Sequence, residues 1–159
     1  MHTRIGIGYD VHQLAVGKKL SLGGINIPHH KGTIGHSDGD VLIHAIIDAL
    51  FGASGMEDIG SHFPDTDPQY KGIDSKILLR LAIQKIRDAG FEIINVDSTI
   101  ILQEPRIKAH ISLMKKTLSQ TLEISEKQIS VKATTTETLG FIGKEEGIAS
   151  QAVVLLNKL

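Results

Sequence analysis

His36-Ser37-Asp38-Gly39-Asp40-Val41-Leu42-Ile43-His44-Ala45-Ile46-Ile47-Asp48-Ala49-Leu50-Phe51 is the stretch on which the fold turns. Beyond Asp40 it is apolar except at His44 and Asp48. At 100° per residue Asp40, His44 and Asp48 fall within an arc of about 80°, one polar stripe on a helix that is apolar on every other side. Ser37 or Asp38 supplies the expected N-cap, with Gly52 and Gly55 as stop signals around Ala53. Such a helix must be covered on most sides, and its stripe needs polar partners.

Upstream, residues 4–10 alternate, with Ile5, Ile7 and Tyr9 on one side of a pleat and Gly6, Gly8 and Asp10 on the other, a strand pattern. Residues 19–22 and 25–28 flank Gly23-Gly24, the pair best suited to a primed hairpin turn. Downstream, residues 56–74 follow no period and are rich in turn formers, which predicts a long functional loop. Asp74 or Ser75 caps a second helix that ends near Gly90, and Pro105 opens a third with Ile107, Ile111, Met114, Leu118 and Leu122 on its apolar face. Strands are expected over 91–103, 128–134 and 148–156. With no regular βαβ repeat, the class is α+β: helices layered on one face of a mostly four-stranded mixed sheet, plus a small β-hairpin, in one domain spanning 1–159.

Seventeen Lys and Arg against 18 Asp and Glu give a net charge of -1, which lacks the positive field of a nucleic-acid binder. With no cysteine, a transition metal would have to be held by His, Asp or Glu, and there are eight histidines. No run approaches the ~20 apolar residues of a membrane span. These features predict a protein with no nucleic-acid or membrane partner, cytoplasmic in a bacterium; the same N-terminus also fits the mature form of an organellar enzyme.

Asp10 and His12, two apart on a strand, project from one face. With His44 they make a two-histidine, one-carboxylate set with an open fourth position, as in catalytic zinc sites, and Asp40 and Asp48 are candidates to orient the imidazole. His36-Ser37-Asp38 precedes a helix N-terminus, where amides favour phosphate. Ala133-Thr134-Thr135-Thr136-Glu137 offers hydroxyls for phosphate oxygens and a carboxylate for a harder ion such as Mg²⁺. Phe63-Pro64-Asp65-Thr66-Asp67-Pro68 is either a lid or a plain surface loop. Taken singly, each has an ordinary explanation as a surface pair, a cap, a strand end or a turn.

Gly8-Tyr9-Asp10-Val11-His12, His36-Ser37-Asp38-Gly39-Asp40-Val41 with His44, Asp58-Ile59-Gly60 with 63–68, and Lys132-Ala133-Thr134-Thr135-Thr136-Glu137 with Leu139-Gly140-Phe141 together resemble the motif set of the 2-C-methyl-D-erythritol 2,4-cyclodiphosphate synthase family, in its order and spacing over essentially the whole chain. The resemblance implies conversion of 4-diphosphocytidyl-2-C-methyl-D-erythritol 2-phosphate to the cyclic diphosphate with release of CMP, in the non-mevalonate isoprenoid pathway. It implies Zn²⁺ on Asp10, His12 and His44, Mg²⁺ or Mn²⁺ on Glu137, and catalytic roles for His36, Thr135 and Glu137. Substrate contacts are implied for Asp10, His12, His36, Ser37, Asp58, Gly60, Asp65, Arg106, Thr134, Thr135, Thr136 and Glu137. A homotrimer with its sites between subunits is implied as well, with Phe141 and Lys144 lining an axial cavity that accepts an isoprenoid diphosphate in some members. There Lys144 stands where Arg is common and Gln151 where Glu often accompanies it, and Lys does not clamp phosphate bidentately.

Two other readings remain open at this level: a metal-dependent phosphohydrolase using the same three ligands on water, and a noncatalytic cytidine-nucleotide binding module in which they only brace the fold. A product assay separates the first from the synthase, and metal removal separates the second.

Overall fold

The alternation that begins at Arg4 runs much further than its clearest part. In the computed structural model, which describes residues 2–159, strand β1 spans His2–Val16 and is followed by the short strands β2 (Leu20–Leu22), β3 (Ile25–Ile27) and β4 (Lys31–Ile34). Helix α1 (Val41–Ser54), α2 (Ile59–His62) and α3 (Ser75–Asp88) precede β5 (Phe91–Ile101). Helix α4 (Ile111–Leu122), β6 (Ile129–Thr134), α5 (Gly140–Gly143) and β7 (Gly147–Lys158) complete the chain.

The main sheet has five strands rather than four, in the order β4-β1-β7-β5-β6, with β2 and β3 forming the expected separate hairpin. The added strand, β4, is too short to display a period and takes its register from β1, Val16 opposite Lys31 through Gln13 opposite Ile34. β7 lies antiparallel between β1 and β5, and β6 joins β5 in parallel, so the sheet is mixed.

Helix α1 is the centre of the core: from Val41 to Phe51 every apolar residue is fully buried. It can lie against the sheet because β1 is glycine where they meet. A Cβ at Gly6 would stand 1.9 Å from the Ala49 carbonyl oxygen, and one at Gly8 1.9 Å from that of Ala45. Gly-on-Ala contact thus sets the spacing between helix and strand. The opposite pleat of β1 is uncovered, leaving Ile5 73%, Ile7 69% and Tyr9 53% exposed.

Three boundaries differ from the sequence expectation. The cap of α1 is Asp40, whose carboxylate accepts from the Ile43 amide, and not Ser37 or Asp38, because Gly39 at φ 73° breaks the chain direction between them. The third helix begins at Ile111 rather than Pro105, since Ile107 is drawn into the core with non-helical dihedrals and only one 3₁₀ turn, Lys108–His110, intervenes. The loop over 56–74 contains α2 and a 3₁₀ turn at Pro68–Tyr70, both too short to carry a periodic signal.

Candidate active site

The polar stripe of α1 performs three separate tasks. Asp40, fully buried, accepts from the Gly23 and Gly24 amides at 3.0 and 2.7 Å and so binds the hairpin to the helix start. Burial pushes its pKa up against the pull of these amide contacts. Asp48 accepts from the Ile59 amide at 3.1 Å and anchors α2. His44, between them, faces β1.

Asp10, His12 and His44 converge as the sequence predicts. Asp10 Oδ2 lies 2.9 Å from His12 Nε2 and 3.0 Å from His44 Nδ1, and the two nitrogens are 3.2 Å apart. The outer nitrogens fix both tautomers. His12 Nδ1 donates to the Ile34 carbonyl at 2.8 Å. His44 Nε2 donates to the Ser37 and Ser75 hydroxyls, each at 3.0 Å, because Ser75 Oγ gives its own proton to Asp38. With both N–H groups turned outward, two imidazole lone pairs and a carboxylate oxygen crowd one point, the donor set a divalent cation requires. Without a cation the inward nitrogens are free to take up protons; burial raises the Asp10 pKa, but hydrogen bonds from His12 and His44 in that protonated form outweigh it and hold it at about 2. Burial depresses His12, and its hydrogen bond to Asp10 overcomes this, so its pKa is raised.

The residues that orient His44 are therefore Ser37, Ser75 and Asp38, not Asp40 and Asp48. Ser75, with no exposed surface, escaped the sequence reading because its place beside Asp74 marked it as a possible cap; Asp74 does the capping. The helix N-terminus is likewise not open to phosphate, because the Asp40 carboxylate occupies it.

These ligands line a cavity of about 520 Å³ together with His36, Ser37, Gly60, Asp65, Phe63 and Tyr70. His36 Nε2 donates to the Asp67 carbonyl at 3.0 Å, and the Phe63 and Tyr70 rings meet edge to face at 5.5 Å, so the 63–70 segment closes one wall. Asp58 instead caps α2, accepting from the Ser61 amide at 2.8 Å, which helps hold its pKa down.

Arg106, Thr134 and Thr135 line a different cavity of about 270 Å³, with Leu102, Gln103 and Lys108. Glu137 adjoins it, with its amide donating to Thr135 Oγ1 at 3.2 Å, and Thr136 Oγ1 donates to the Leu139 carbonyl. The two cavities share no lining residue. Asp10, Ser150, Ile100 and Ala133 form one row across β1, β7, β5 and β6, so three strand spacings, about 14 Å, separate them. Phe141 lines a third cavity with Val11, Gln13 and Gly147, Lys144 follows α5, and Gln151 is exposed opposite Tyr9.

Comparison with known proteins adds to this geometry. Residues 3–157 match the YgbB family. A 2-C-methyl-D-erythritol 2,4-cyclodiphosphate synthase of Parabacteroides distasonis is 55% identical over 159 residues, covering 100% of this chain and 99% of that protein. Among solved structures, the bifunctional IspDF of Campylobacter jejuni superposes with a TM-score of 0.96 at 43% identity; the match covers 99% of this chain but only 43% of that one. The Plasmodium falciparum IspF, in complex with CDP, superposes with a TM-score of 0.86 at 40% identity, covering 98% and 96%.

Proposed function

The chain belongs to the YgbB family, and from that premise we infer that it catalyses the synthase reaction for which its relatives are named, in isoprenoid biosynthesis. The substrate is 4-diphosphocytidyl-2-C-methyl-D-erythritol 2-phosphate. An oxygen of the 2-phosphate attacks the β-phosphorus, the bond from that phosphorus to the α-phosphate oxygen breaks, and CMP leaves with the bonding pair. The carrying observation is the convergence of Asp10, His12 and His44, with both imidazole tautomers fixed, in a chain 55% identical to a named synthase over its full length.

The nucleophile belongs to the substrate, so the protein's task is to fold a polyanion onto itself. Divalent cations at the triad and on Glu137 would supply charge neutralisation at phosphate oxygens. Two imidazoles and one carboxylate suit Zn²⁺, whereas the lone exposed carboxylate of Glu137 suits Mg²⁺ or Mn²⁺ coordinated mostly by water and phosphate. His36 and Ser37 hold the methylerythritol phosphate end, with Gly60 and Asp65 beside the sugar. Asp58 reaches the same sugar only from the rim. Arg106, Thr134, Thr135 and Thr136 hold the cytidine diphosphate, the ligand class named for the Plasmodium relative.

One substrate must touch both cavities, yet about 14 Å of sheet separates them within one chain. We read the active unit as a homotrimer in which the metal half of one subunit meets the nucleotide half of the next. The bare β1 pleat of Ile5, Ile7, Tyr9 and Val11, opposite Val153 of β7, supports burial between subunits. Residues 1–159 then form one domain per subunit. Among the described residues no helix is long and apolar enough to cross a membrane, and the bacterial relative fits a cytoplasmic enzyme.

Purified protein with substrate and Mg²⁺ should release CMP and the cyclic diphosphate in equal amounts. A linear phosphate product would instead identify the phosphohydrolase. Substrate or CDP binding with no turnover at full metal loading would identify the binding module. The relatives' names favour neither.

A further inference from the structure

A second cluster of metal-binding side chains lies outside the site described above. His29 and His30, between β3 and β4, and Glu145, in the turn before β7, each offer a ligand atom within 4.8 Å of the others. The two imidazole centroids are 4.3 Å apart. His29 Nε2 is shielded from water and has no hydrogen-bond partner among the described residues, a costly state for a polar atom.

The backbone on both sides is fixed before any ion arrives. The His30 carbonyl accepts from the Gly17 amide at 3.0 Å, and the next residue, Lys31, pairs with Val16. On the other side the Glu146 carbonyl accepts from the Leu14 amide at 2.9 Å, and Lys31 Nζ donates to the Glu145 carbonyl at 3.0 Å. Glu145 itself sits at φ 58°, a left-handed conformation uncommon for a residue with a side chain, and it is held there by its neighbours.

We propose that His29, His30 and Glu145 form a second metal site, distinct from the Asp10 triad, that takes a borderline divalent ion such as Zn²⁺ or Ni²⁺. Two imidazoles and one carboxylate favour such ions over Mg²⁺ or Ca²⁺, which prefer oxygen throughout. The Lys31 ammonium stands 3.8 Å from Glu145 Oε2, outside hydrogen-bond range, so the carboxylate retains lone pairs for a cation. Its charge repels that cation, which places the affinity below that of the triad.

The test is a calorimetric titration of Zn²⁺ into the whole chelator-stripped protein, with metal analysis after dialysis. Wild type should bind two ions per chain, one tight and one weaker. His30→Ala, at an exposed position, should weaken the second ion by about tenfold or more while leaving synthase turnover unchanged. Glu145→Gln should act in the same direction, and His44→Ala should keep only the weaker ion. A single ion per wild-type chain would overturn the proposal. So would a second ion of unaltered affinity in both His30→Ala and Glu145→Gln.

Discussion

Around Asp10, His12 and His44 the chain is cross-braced: a buried helix rests on glycines, and every ligand nitrogen not facing the centre is already engaged. From Glu137 to Phe141 it is open. All five residues are exposed, Leu139 to 73%, and Glu137 and Thr138 hold positive φ at 53° and 67°. The first half of the site is completed by the fold of one chain. In the second, exposed side chains and an uncommon backbone conformation face out from the chain, which fits the proposed contact with a neighbouring subunit.

The largest effect should come from the braced half. His44→Ala or Asp10→Asn should lose the triad's ion and lower turnover by more than about a hundredfold, beyond what mere orienting residues contribute. Gel filtration should still give the oligomer formed by the wild type, since the ligands close no structural site. Wild-type zinc content in an active His44→Ala protein would remove the assignment.

Gly8→Ala comes next, and it tests the packing rather than the ligands. A methyl 1.9 Å from the Ala45 carbonyl oxygen must push α1 outward, carrying His44 away from Asp10. Overpacking of this kind costs about 1–3 kcal/mol, so the melting temperature should fall and metal affinity with it. An unaltered Zn²⁺ titration would mean that the Gly-on-Ala contact does not set the ligand geometry.

That contact also marks what the sequence made legible. Alternating Gly6, Gly8 and Asp10 beside an all-apolar helix with one polar stripe gave strand, helix and facing ligands, because the periods of 2 and 3.6 are direct geometric consequences of the backbone. β4 and α5 were invisible since four residues cannot show a period, and both owe their form to partners distant in sequence. The orienting pair Asp38 and Ser75 was hidden for a related reason. Asp and Ser near a helix start signal a cap, and only the tertiary approach of α3 to the 36–40 loop turns Ser75 toward His44.

Ser75→Ala should therefore lower zinc affinity by about tenfold, the lesser end of what such orienting contacts contribute, because Ser37 still accepts from His44. Adding Ser37→Ala should deepen the loss; no change in either variant would reduce Ser75 to a packing residue. On the open half, Glu137→Gln should leave the triad's ion in place and move the Mg²⁺ dependence of turnover upward by about tenfold, since a neutral amide is a poor ligand for a hard cation. A superimposable Mg²⁺ curve would assign Glu137 another role.

The smallest signal is also the one that decides between the halves. If each site joins the metal half of one subunit to the nucleotide half of the next, a His44→Ala chain and an Arg106→Ala chain, each inactive alone, carry complementary defects. In trimers formed at random from equal amounts, an interface is intact only when the first kind of chain supplies the nucleotide half and the second supplies the metal half. Each condition is met half the time, so about a quarter of wild-type activity should return on mixing and reassembly. The two parent proteins, kept apart, should show none. Differently tagged chains recovered together would establish that mixing occurred. Mixed trimers with no activity would then require both cavities of one subunit to serve the same substrate across about 14 Å of intervening sheet, and the open half would have to be closed by movement of its own chain.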